Sequence, residues 1–158
     1  MSDVKLISFQ KAEIYDCKEI QQMQISAFAE LLRKYRDIDT NPACESLDKI
    51  KSKMKSSTYY FILNNSVKVG VIRIIQNQNS CRISPIFILP EFQNRGYAQE
   101  ALIYAEKLYP KIKYWSLDTI KQEQKLYYLY SKSGYNPTGK EYNIKDDMTI
   151  VFFEKKIL

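Results

Sequence analysis

The spacing of apolar residues changes along the chain, and each change marks an element. Lys5 to Gln10 sets Leu6 and Ser8 against Ile7 and Phe9, an alternation that predicts a first strand. The spacing then turns helical: Cys17, Ile20, Met23, Gln24, Ala27 and Phe28 fall on one face, and Asp16 with Glu19 three residues later predicts a capping box at the start. Phe28, Leu31, Leu32 and Tyr35 predict a second helical segment. Asp37 to Pro42 is polar and ends in a residue that cannot extend a helix, so it reads as a loop. Leu47, Ile50 and Met54 resume the helical period. Tyr59 to Leu63, Val67 to Ile75 and Cys81 to Leu89 are rich in β-branched and aromatic residues. Asn64-Asn65 and Gln76 to Asn79 separate them, which predicts three antiparallel strands joined by hairpins.

After Gly96 the period changes again, because Ala98, Ala101, Leu102, Ala105, Leu108 and Tyr109 share a helical face that Pro110 brings to an end. Tyr114 to Thr119 predicts a short strand, and Glu123 to Lys132 a helix with Leu126, Leu129 and Tyr130 on one face. Gly134 is placed to close that helix in a left-handed turn. Strands at Tyr135 to Ile144 and Met148 to Lys155 complete the order. No linker, repeat or low-complexity stretch interrupts it, so residues 1–158 read as a single α+β domain with a largely antiparallel sheet. The exception is Cys81 to Thr119, a strand, helix and strand whose length requires a parallel crossover. Pro85 sits in a strand that should be central, and since it has no N–H for the ladder, a bulge or splay is expected beside it.

Composition narrows the chemistry. Histidine is absent, which excludes Ser-His and Cys-His nucleophiles and a His-rich metal site. Cys17, Cys44 and Cys81 are widely separated and read as small core or surface residues, so no metal is expected. Any proton must move through carboxylate, tyrosine, lysine, cysteine or water. No apolar run approaches the roughly 20 residues a membrane helix needs, and Met1 to Lys5 lacks a signal-peptide core, so the cytoplasm is the expected location, with no membrane partner. A net charge of +6 with thirteen tyrosines would suit a nucleic-acid binder. The lysines are scattered, however, and the group Lys49, Lys51, Lys53 and Lys55 reads as a solvated helix face, so no nucleic-acid partner is expected. The same mild basicity favours a phosphate-bearing cofactor.

Ile86-Phe87-Ile88-Leu89-Pro90-Glu91-Phe92-Gln93-Asn94-Arg95-Gly96-Tyr97-Ala98 is the most informative stretch, because an apolar strand runs into a glycine-bearing turn that opens a helix. The first N–H groups of a helix lack internal partners and lie at the positive end of its dipole, so such a junction suits a pyrophosphate. Gly96 lets the backbone approach it closely. Gln93, Gly96 and Ala98, after a Pro-Glu-aromatic lead-in, resemble the fingerprint of the GCN5-related N-acetyltransferase (GNAT) superfamily. Leu129-Tyr130-Ser131-Lys132-Ser133-Gly134-Tyr135 resembles a second element of that family. An ordinary strand-to-helix turn is the plain alternative for the first, and core packing for Tyr130.

The resemblance implies a twisted, mostly antiparallel sheet flanked by helices, with its parallel unit at the site for acetyl-coenzyme A. It implies cofactor contacts from Ile86, Phe87 and Ile88 along the pantetheine arm and from Gln93, Asn94, Arg95, Gly96, Tyr97 and Ala98 around the pyrophosphate. It further implies direct attack of a primary amine on the thioester, the Ile88 N–H facing the developing oxyanion and Tyr130 protonating the departing thiolate. Leu117-Asp118-Thr119 resembles a Leu-Glu-Val stretch of the ribosomal-protein branch whose acidic residue is the base, which makes Asp118 the candidate base; a surface or capping aspartate is the alternative. Glu123 stands where many relatives have a cofactor-contacting Asn, and Arg82 where the histone-modifying branch has its glutamate. Asp37, Asp39 and Glu45 lie where relatives shape the acceptor pocket, as ligands for a cationic amine or as solvated loop charges. The acceptor, a small-molecule amine or a protein N-terminus, stays open, as does a homodimer. A catalytically silent acetyl-coenzyme A sensor would keep the turn and dispense with Tyr130 and Asp118.

Overall fold

The computed structural model describes residues 6–158. The chain order is β1 (Ile7–Lys11), α1 (Cys17–Tyr35), α2 (Leu47–Ser56), β2 (Thr58–Asn64), β3 (Val67–Gln76), β4 (Ser80–Ile88), α3 (Tyr97–Leu108), β5 (Tyr114–Ile120), α4 (Gln124–Lys132), β6 (Asn136–Lys145) and β7 (Met148–Lys156). The strands form one sheet in the order β1-β2-β3-β4-β5-β7-β6, antiparallel throughout except for β4 beside β5. This is the α+β arrangement with one parallel crossover that the apolar periods predict. Met1 to Lys5, including the first residue of the expected first strand, lie outside the described residues.

Alternation along the strands divides the core into two layers. Tyr59, Phe61, Val71 and Phe87 point to one face, where Ile20 and Met23 of α1 and Ile50 of α2 cover them. Ile72, Ile74, Cys81, Ile83, Trp115, Leu117 and Phe153 point to the other, under Ala101, Leu102 and Ala105 of α3 and Tyr130 of α4. Each fully buried large side chain contributes roughly 1.5–3 kcal/mol of transfer free energy, so both layers hold their helices firmly.

Several local expectations need correction. Helix α1 is one unbroken helix of 19 residues rather than two segments, because Phe28 and Tyr35 continue the same stripe with no Gly or Pro between them. Asp16 and Glu19 do not form its capping box. Asp16 accepts from the Glu13 N–H at 2.8 Å, closing a short 3₁₀ turn, while Glu19 pairs with Lys68 at 2.8 Å. Leu108 lies off the buried face of α3 and is exposed. Lys53 departs from the solvated face of α2, since its ammonium pairs with the buried Glu45.

Pro85 does disturb the sheet. Between the pairs Ile72↔Ile86 and Ile74↔Ile83, two residues of β4, Ser84 and Pro85, oppose the single Arg73 of β3. Arg73 fills the bulge, donating from Nη1 to the Ser84 carbonyl at 3.0 Å and from Nε to Ser57 Oγ at 2.8 Å. On the other side β4 pairs with β5 only from Ser80↔Tyr114 to Ile83↔Leu117, after which each strand runs on with its other neighbour. The strands therefore part at the bulge, leaving a wedge between Ile86–Ile88 and Asp118–Ile120.

Candidate active site

The wedge presents free backbone donors. The Leu89 N–H bonds to the Val69 carbonyl across β3 at 2.8 Å. Since successive N–H groups of a strand point to opposite sides, those of Ile86 and Ile88 point away from β3 and into the wedge. They are held there by a close approach of β3: a Cβ on Gly70 would lie 2.1 Å from the Phe87 carbonyl oxygen, so only glycine fits opposite this stretch. The sequence carried a signal for it, a glycine inside the apolar run Val69-Gly70-Val71, which marks a close backbone approach.

The turn from β4 to α3 is built by two left-handed residues, Asn94 at φ 64° and Gly96 at φ 82°. Gly96 is the N-cap of α3 and has no side chain to accept from the helix, so the N–H groups of Tyr97 and Ala98 face outward uncapped. That is the donor set an anion needs, and the first backbone bond of the helix runs from Glu100 back to Gly96. The side chains around it have other tasks. Gln93 Nε2 donates to the Ile88 carbonyl at 2.9 Å and fastens the turn to the strand end; Arg95 Nη2 donates to the Glu91 carbonyl at 3.2 Å. Tyr97 is buried, and its hydroxyl accepts from Asn64 Nδ2 at 3.0 Å, so only its backbone faces the turn's open side.

The two candidate proton carriers lie on opposite faces of the sheet. Leu117 and Thr119 are buried and Leu117 packs in the layer of α3 and α4, so Asp118 between them points to the α1 side, at the first β5 position beyond the β4 pairing. Tyr130 approaches from the α4 side and is 5% exposed. Burial raises its pKa, and the negative charge of Asp118 raises it further, which keeps the phenol protonated. Asp118 is not solitary: Arg82 Nη2 donates to its Oδ2 at 2.9 Å. Gly134, at φ 93°, ends α4 as expected, with bonds from Tyr135 N to the Tyr130 carbonyl (3.0 Å) and from Gly134 N to the Ser131 carbonyl (3.1 Å) that fix the last turn.

Glu123, the residue in the place of the family's Asn, joins the end of α1 to the start of α4. Its Oε2 accepts from Lys34 Nζ at 2.7 Å and from the Tyr35 hydroxyl. Burial alone would raise its pKa, but those hydrogen bonds and the Lys34 charge outweigh burial and hold it below the usual carboxylate value. Of the three carboxylates proposed near the acceptor, Asp39 is a solvated loop charge, whereas Asp37 and Glu45 are buried. Asp37 is closed off by the Thr40 hydroxyl, and Glu45 by Lys53 and by Gln24 Nε2 at 3.0 Å, so neither carboxylate stands open to an amine. Sequence reasoning missed this inner cluster because its members sit on separate elements. Among the described residues no group of His, Cys, Asp and Glu could hold a metal, and no helix is long and apolar enough to cross a membrane.

Comparisons with known proteins converge on one fold. A family model described as an acetyltransferase (GNAT) domain matches residues 34–156. No curated protein matches the sequence. Among solved structures, the ribosomal-protein-S18-alanine N-acetyltransferase of Escherichia coli superposes with a TM-score of 0.76 at 12% identity, covering 96% of this chain and 94% of its own. The PaiA N-acetyltransferase of Thermoplasma acidophilum, in complex with coenzyme A, gives 0.66 at 18% identity, covering 96% and 99%. AAC(6')-Ib in complex with ribostamycin and coenzyme A gives 0.73 at 11% identity, covering 95% and 93%.

Proposed function

The chain belongs to the GNAT acetyltransferase family, and on that premise we propose that it moves the acetyl group of acetyl-coenzyme A to a primary amine by direct attack within a ternary complex. The observation that carries this reading is the wedge between β4 and β5, open beside the uncapped start of α3. Two of the similar solved structures are bound to coenzyme A, which supports the same cosubstrate here. The residues fit it: the N–H groups of Tyr97 and Ala98, presented by Gly96, would hold its pyrophosphate, and those of Ile86 and Ile88 would pair with the pantetheine amides or meet charge on the thioester oxygen. Acetyl-coenzyme A would supply the activated acyl group, while the protein positions it and moves protons.

In the proposed reaction the amine nitrogen bonds to the acetyl carbon and the carbon–sulfur bond breaks. Asp118 takes the amine's proton, directly or through one water, and Tyr130 gives its proton to the departing thiolate. Their placement on opposite faces suits these separate tasks. The acceptor is a small-molecule amine or a protein N-terminus; the first of the similar structures above is a ribosomal-protein-S18-alanine N-acetyltransferase.

The test is release of free thiol from acetyl-coenzyme A across a panel of amines, with melting temperature followed alongside. A ligand that binds only the folded state raises that temperature, and Gly96→Val should remove the rise because valine resists a positive φ. No amine-dependent thiol release, or an unchanged rise in Gly96→Val, would overturn the reading.

A further inference from the structure

Helices α1 and α2 pack on β2, β3 and β4, and beyond β4 the same face of the sheet carries a groove of about 400 Å³. Arg82, Tyr114, Ser116 and Phe152 form its floor, with Thr138 and Lys140 of β6 beside them. Arg82 pairs in register with Ser116, and Asp118 is two residues further along β5, so the groove lies only about 7 Å along the strand from the wedge.

The charge in this groove is lopsided. Glu154 also lines it, but Tyr114 Oη donates to that carboxylate at 3.2 Å and Lys156 lies at 3.7 Å. Lys140 joins no ion pair among the described residues; its ammonium sits 4.9 Å from the Phe152 ring centroid, over the groove floor. Arg82 gives Asp118 one nitrogen, Nη2, and 44% of its side chain is exposed. A guanidinium has five N–H donors in a planar fork that matches the paired oxygens of a carboxylate or phosphate. A polyamine would bring only positive charge to Arg82 and Lys140.

We infer that the acceptor is a primary amine carrying a carboxylate or phosphate a few bonds from its nitrogen, and that Arg82 is the residue that selects it. This rests on the acetyl-transfer reading. With the amine in the wedge, the anionic group reaches back to Arg82 and takes the place of the Asp118 carboxylate on the guanidinium. Asp118, released from that contact, is then free to accept the proton of the incoming ammonium. An acceptor without an anionic group leaves the Arg82–Asp118 pair closed and the base engaged.

The experiment is calorimetry on the protein saturated with coenzyme A, which lacks an acetyl group and so reports binding without turnover. The amines are butylamine, 1,4-diaminobutane, 4-aminobutanoate and 3-aminopropyl phosphate, of similar reach. At least one anionic amine should bind roughly fivefold or more tightly than butylamine, the scale of a charge-assisted pair at a half-exposed site, and the diamine more weakly. The two anionic arms tell carboxylate from phosphate. Arg82→Gln should erase the preference and Arg82→Lys keep part of it, with melting temperatures near the parent's because Arg82 lies at the surface. Equal or weaker binding of both anionic amines overturns the inference, as does a preference that survives in Arg82→Gln. If coenzyme A itself gives no melting shift, the acetyl-transfer reading fails, and the same comparison on the protein alone still decides the role of Arg82.

Discussion

Tyr130 and Asp118 show what single residues reveal when their surroundings are known. A tyrosine that is only core packing would lose little function when its hydroxyl is removed, since Phe fills the same volume. Tyr130→Phe is therefore expected to bind coenzyme A nearly as the parent does while turnover falls about 10²-fold, the loss of one positioned acid. Steady-state rates and calorimetry on the two proteins decide it, and equal turnover would return Tyr130 to the packing role. Asp118→Asn is expected to lose most rate near neutral pH, where the amine is protonated, and to recover partly as the pH rises and solvent deprotonates the acceptor. A rate ratio that stays flat from about pH 6 to 10 would remove Asp118 as base. The resemblance assigned both residues to one site but showed neither the opposite faces nor the Arg82 partner, because the register of β4 on β5 comes from the assembled sheet.

Elements were legible where apolar spacing was strict and illegible where two signals had the same form. The three strands from Thr58 to Ile88 and the two helices after Gly96 follow the expected periods within a residue or two. At the first helix, Glu13 with Asp16 and Asp16 with Glu19 both show an acid three residues after a capping position, and only the first closes a turn. The buried Glu45 reads as a loop charge in sequence because Gln24, its partner, lies 21 residues away. Gly70 belongs to this scale, since it sets how closely β3 and β4 meet. In Gly70→Ala the new Cβ would lie 2.1 Å from a backbone oxygen, so the strands must separate. The expected cost is about 1–3 kcal/mol, with a lower melting temperature. Coenzyme A affinity should fall with it, because Ile86 and Ile88 lose their setting. An alanine variant of full stability and affinity would show that the ladder can yield there.

At the scale of the whole molecule, the sheet is weakest where the proposed chemistry is. Four residue pairs join β4 to β5, against ladders of up to seven pairs elsewhere, so the two sides of the wedge need a second connection. On the α1 face that connection is the end of α1. Lys34 and Tyr35 bind Glu123 at the start of α4, and Lys145 of β6 donates to the Tyr35 carbonyl at 3.1 Å and the Arg36 carbonyl at 3.3 Å, where a cation suits the helix terminus. Because the folded pKa of Glu123 is depressed, its contribution is fully present above the unfolded carboxylate value near 4.3 and is lost as pH falls through the lower folded value. Glu123→Gln should therefore melt below the parent at neutral pH, and the gap should close as the pH drops under about 4. High salt should narrow it as well, since Lys34 is more than half exposed. If the brace also sets the width of the wedge, the variant's KM for the amine should rise more than its Kd for coenzyme A, whose proposed contacts lie on β4 and α3. Melting curves from pH 3 to 7 together with the two affinities provide the check. A gap independent of pH would mean that Glu123 acts through shape alone, and an equal loss in both affinities would mean that the brace supports the whole sheet rather than the mouth of the site.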